Sequence, residues 1–97
     1  MLLGGHGNVS VTANVAPRAM SELCAAAIGG DARRTAQLQL KLMPLHRQMF
    51  CEPSPAPAKW ALSRLGRCKP TVRLPLVELT EAGRALVEAA MTECGVL

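Results

Sequence analysis

The sequence predicts a mostly α-helical chain carrying one β-strand whose sheet lies outside it, so that only part of an α/β arrangement is present. Three observations carry that reading. Asn8 to Val15 alternates strictly, with Val9, Val11, Ala13 and Val15 on one side and Asn8, Ser10, Thr12 and Asn14 on the other, the period of two of a half-buried strand. No second stretch offers it a partner, and a lone strand cannot satisfy its own backbone groups. From Pro17 onward the pattern is helical, broken by Gly-Gly, a proline run and capping residues.

Taken in order, a Gly-rich turn (Gly4-Gly5-His6-Gly7) precedes the strand. Pro17 suits a first helical turn, and the helix it opens runs to about Ala27 before Gly29-Gly30. Asp31 is a natural N-cap for a long helix reaching about Cys51. Its stripe is Leu38, Leu42, Leu45 and Met49, with Ala36, Leu40, Met43 and Phe50 beside it. So wide an apolar arc predicts a helix covered on more than one side. Pro44 falls inside it, where it removes one hydrogen bond and predicts a kink. Glu52 to Pro57 holds three prolines at alternate positions and predicts a rigid extended connector. A short helix over about Ala58 to Leu65 follows, ending at Gly66. Thr71 to Leu79 is at best extended, since Pro70 and Pro75 deny it ladder hydrogen bonds. Thr80 caps a last helix, in which Leu86, Ala89, Ala90 and Glu93 follow helical spacing up to Gly95. The chain divides at the Gly-Gly pair into residues 1–30, strand and first helix, and residues 31–97, a helical region.

Composition narrows the function. At 97 residues the chain has room for at most one small domain. Hydrophobic residues make up 49%, which excludes a disordered chain, yet aromatics are only 2%. Aromatics carry much of the buried area of small cores, so this chain reads as part of something larger. The longest apolar run, Leu23 to Ile28, is far too short to span a membrane. Met1-Leu2-Leu3 runs straight into Gly4-Gly5 and offers no secretory leader; a cytoplasmic protein is expected. The net charge of +4 invites a nucleic-acid reading. However, the cations are scattered, the longest basic run is Arg33-Arg34, and no aromatics are interleaved to stack bases, so no nucleic-acid partner is expected. Cys24, Cys51, Cys68 and Cys94 form no Cys-x-x-Cys pair, and His6 and His46 stand near no cysteine at metal-ligand spacing. The cysteines read as small buried thiols, and neither a metal nor a cofactor is expected.

Four motifs in register point further. Gly7 to Pro17, Leu42-Met43-Pro44-Leu45-His46, Phe50 to Leu62 and Arg73-Leu74-Pro75-Leu76 resemble the C-terminal third of the dihydrodipicolinate synthase family. The resemblance covers essentially the whole chain; Asn8, Ser54, Ala56 and Ala58 depart from the family's usual residues. It implies a lyase built on a TIM (β/α)8 barrel. Such an enzyme condenses pyruvate with aspartate semialdehyde through a lysine Schiff base, towards diaminopimelate and lysine, as a cytoplasmic homo-oligomer, a tetramer. Asn8 to Val15 then matches the last barrel strand, and the later helices a C-terminal cap.

The resemblance also implies where the chemistry is not. A Schiff-base lysine must be neutral when it attacks, which calls for a desolvated or cation-perturbed site. The family's lysine and its proton-shuttling tyrosine lie on earlier strands, and this chain has no tyrosine. Lys41, Lys59 and Lys69 read as surface residues, so no catalytic residue is expected here and the fragment alone should be inactive. One binding position carries over: Val9 matches the strand residue whose main-chain carbonyl faces pyruvate. His6 and His46 read as structural. The competing reading is a small basic helical interaction protein without activity.

Overall fold

Five helices make up the regular backbone of the computed structural model, which describes residues 1–97: α1 (Thr12–Val15), α2 (Pro17–Ile28), α3 (Ala32–Gln48), α4 (Ala56–Arg64) and α5 (Glu81–Glu93). There is no β-strand. The predicted strand is therefore corrected over its whole length: residues 5–10 run without regular structure and pair with nothing, and Thr12–Val15 is helical. A period-two pattern specifies a strand only where another strand supplies the ladder. Residues 5–10 find no such strand within this chain, and over Thr12–Val15 the local turn wins. The Ala13 N–H donates to the Ser10 carbonyl and the Asn14 N–H to the Val11 carbonyl, each at 3.1 Å. The Asn14 side chain donates to the same Val11 oxygen, and Pro17 is preset for the next helix.

The longer helices start and stop where their caps stand. Asp31 caps α3, its carboxylate accepting the Arg34 N–H at 3.0 Å, and Thr80 caps α5 by accepting from the Gly83 N–H at 3.1 Å. Helix α2 ends in a Schellman turn. Gly30, at φ +78°, lets the Asp31 N–H reach the Ala26 carbonyl and its own N–H the Ala27 carbonyl. Helix α3 runs on through Pro44 and stops at Gln48, short of Cys51.

The proline segment departs from expectation. Instead of an extended connector, residues 51–55 turn, and α4 already begins at Ala56, with Pro57 in its first turn. The reason is the same one that favours Pro17: a proline early in a helix loses no hydrogen bond.

One apolar core joins all five helices. Leu38, Leu42, Leu45 and Met49 are buried as the stripe predicted, against Met20 and Leu23 of α2, Ala58 and Ala61 of α4, and Val87, Ala90 and Met91 of α5. Two details are corrected. On α3 the flanking arc is open, with Leu40 72% and Phe50 64% exposed, so the helix is covered on one side only. On α5 the inward face is Gly83, Val87, Ala90, Met91 and Cys94, while Leu86 and Ala89 face out. Gly83 sets that rotation, because it is the only residue small enough to pass Glu52 and Leu79.

Candidate functional site

The site begins at the irregular segment before α1. Val9 is completely exposed (105%), and its carbonyl accepts no hydrogen bond within the chain. A backbone acceptor held open in this way can serve either a neighbouring strand or a ligand.

Just beyond it, Thr12 is only 2% exposed, although the alternating pattern places it on the outward polar face. It is buried because it has a partner: Thr12 Oγ1 lies 2.8 Å from His46 Nδ1. His46 follows the fully buried Leu42 by four residues and so stands at the edge of the core stripe of α3. Burial pushes its pKa below the ordinary value of 6.5, which keeps the imidazole neutral near pH 7. A neutral ring can take either side of the bond to a hydroxyl. The sequence reads His46 as structural and puts Thr12 on the polar side of the alternation. The spacing of His46 from Leu42 is the one sequence signal that could have put the histidine inward, and nothing local points to Thr12.

A second long-range polar contact joins Glu52, in the turn after α3, to the start of α5. Its carboxylate accepts both the hydroxyl and the backbone N–H of Thr80. Helix α4 is tied to α5 at the surface, where Arg64 meets Glu88 at 2.9 Å.

The remaining predicted residues stand apart from this region. Lys41 and Lys69 are exposed and Lys59 is half-buried. His6 is exposed in its Gly-rich turn. The four cysteines are free, but only Cys94 is buried; Cys24 and Cys51 are half-buried and Cys68 is exposed, which corrects the expectation of four buried thiols. Cys68 lies in the loop after α4. Burial pushes the Cys94 thiol up, with Glu93 adding to it, and Cys51 likewise with Glu52 adding. Cys94 donates to the Lys41 carbonyl at 3.0 Å. No three His, Cys, Asp or Glu side chains come together as a metal site, and no helix is long and apolar enough to cross a membrane.

Solved structures share this arrangement of helices. The synthase from Acinetobacter baumannii, a chloride-inhibited dihydrodipicolinate synthase solved with pyruvate, superposes with a TM-score of 0.95 at 46% identity over 99% of this chain and 33% of its own. The Thermotoga maritima enzyme superposes at 0.93 with 39% identity, over 97% of this chain and 32% of its own. The fold is thus that of one segment of a dihydrodipicolinate synthase. The dihydrodipicolinate synthetase family model matches residues 1–94, and the chain belongs to that family. The 4-hydroxy-tetrahydrodipicolinate synthase of Methylibium petroleiphilum is 62% identical over all 97 residues, and that of Leptothrix cholodnii 59%. The chain spans about a third (33%) of the length of these relatives.

Proposed function

We propose that the chain acts as the C-terminal third of a 4-hydroxy-tetrahydrodipicolinate synthase, a lyase of lysine and diaminopimelate biosynthesis. The reaction condenses pyruvate with aspartate semialdehyde through a lysine Schiff base. The observation that carries this reading is the 62% identity to a curated synthase along the entire chain. Residues 1–30 supply the last strand of a TIM barrel, formed over the unpaired segment 5–10 only when the rest of the barrel is present, and the helix after it, and residues 31–97 the helical cap. The unpaired segment 5–10 and the exposed Leu3, Val9, Leu40 and Phe50 support that role, since a barrel wall would pair the one and cover the others. The Val9 carbonyl faces pyruvate. The Schiff-base lysine and the tyrosine come from the preceding two thirds, and the whole enzyme is a cytoplasmic tetramer.

The chain alone has no synthase activity under this reading, because Lys41 and Lys69 are exposed and Lys59 only half-buried, short of the desolvated setting that a nucleophilic amine needs. Incubation with pyruvate and borohydride tests it by mass spectrometry. The expected result is no adduct on the 97-residue chain and one pyruvyl adduct per subunit of the full-length enzyme, outside this segment. A pyruvyl mass shift on Lys41, Lys59 or Lys69 overturns it.

A further inference from the structure

We propose that His46 is a positioning residue for pyruvate: through Thr12 it holds the segment that presents the Val9 carbonyl. This rests on the reading above that the carbonyl faces the substrate.

The Thr12–His46 contact is the only hydrogen bond, and no ion pair exists, between residues 1–16 and residues 31–97. Val11, Ala13, Val15 and Ala16 also pack against the helical core, but apolar burial is non-directional and tolerates small rotations of the turn. The hydrogen bond is directional. Its two ends are rigidly held. His46 lies between Leu45 and Met49 of the core, both fully buried. Thr12 opens a turn closed by the Ser10–Ala13 and Val11–Asn14 backbone bonds. That turn follows Val9 by one residue, so the orientation of Thr12, together with the flanking barrel strands of the reading above, constrains the direction in which residues 8–10 leave the core. A group that must meet a small substrate is sensitive to displacements of about 1 Å. His46 itself never touches pyruvate in this arrangement.

The test uses the full-length enzyme containing this segment. Variants are Thr12→Val, His46→Leu, the double variant, and His46→Asn, whose amide reaches the place of Nδ1. Loss of one neutral hydrogen bond should raise the pyruvate KM roughly threefold to tenfold, with kcat within about twofold because ground state and transition state share the contact. The double variant should be no worse than either single one, and His46→Asn should recover most of the loss. Amide hydrogen exchange over residues 8–12 should quicken in Thr12→Val and His46→Leu. Thr12→Val keeps the volume and carries the test if His46→Leu is insoluble. Unchanged exchange with unchanged KM overturns the positioning role alone. Faster exchange with unchanged KM overturns the Val9 reading and the proposal with it, as does a wild-type enzyme that condenses no pyruvate. A raised KM that His46→Asn does not recover, or single effects that multiply in the double variant, also overturns it.

Discussion

Glu52 grips Thr80 from two directions, its carboxylate accepting the side-chain hydroxyl with one oxygen and the backbone N–H at 3.3 Å with the other. Thr80 meanwhile accepts from Gly83 as the N-cap of α5. A residue 28 positions upstream thus fixes the start of the last helix, and a single Cβ would prevent it. A side chain at Gly83 would sit on Glu52 Oε2 and 2.9 Å from Leu79 Cγ and Cδ1.

Gly83→Ala is therefore expected to destabilise the chain, against helix propensity, which alone would favour alanine by about 1 kcal/mol. Displacing Glu52 costs its bonds to Thr80, and crowding a packed core costs about 1–3 kcal/mol, so a net loss is expected. Urea unfolding of the wild type, Gly83→Ala and Glu52→Gln checks this. A Gly83→Ala variant with a higher midpoint than wild type contradicts the clamp.

The half-buried His46 gives stability a pH dependence with a definite sign. His46 has a lowered pKa in the folded chain, caused by desolvation. The unfolded chain therefore binds the proton more readily, and stability rises with pH through this range. The contribution is fully present above about 6.5 and is lost as the pH falls through that value towards the folded pKa. Chemical denaturation at pH 7.5 and pH 5.5 should show a lower midpoint at the acid end, and His46→Asn should flatten the difference. An equally steep dependence in that variant would assign it to other groups.

Under the proposed function, Val9 acts through its backbone and not its side chain. In the full-length enzyme Val9→Ile adds only a methylene and should leave the pyruvate KM nearly unchanged. Val9→Pro should raise it far more, because proline lacks the strand N–H and fixes φ. Steady-state kinetics on soluble, correctly assembled variants decide it. A large KM effect from Val9→Ile in a well-folded enzyme sinks the backbone assignment.

Much of this chain was determined by sequence alone, and the reason is range. Asp31, Thr80 and the glycine after α2 act within four residues, so the ends of α2, α3 and α5 could be read to within about three positions. The stripe Leu38, Leu42, Leu45 and Met49 could be read because helical hydrogen bonds are internal to the segment, and hydrophobicity then chose its buried face. Tertiary structure decided everything that needed a distant partner. The alternation from Asn8 to Val15 is a sound strand pattern, but a strand exists only with another beside it; residues 8–10 have none within the chain, and α1 takes Thr12–Val15. The burial of Thr12, the inward turn of His46 and the approach of Gly83 to Glu52 were equally hidden. Each joins residues about 30 positions apart, where no local propensity acts and only the packing of α3 against its neighbours brings the atoms within hydrogen-bonding distance.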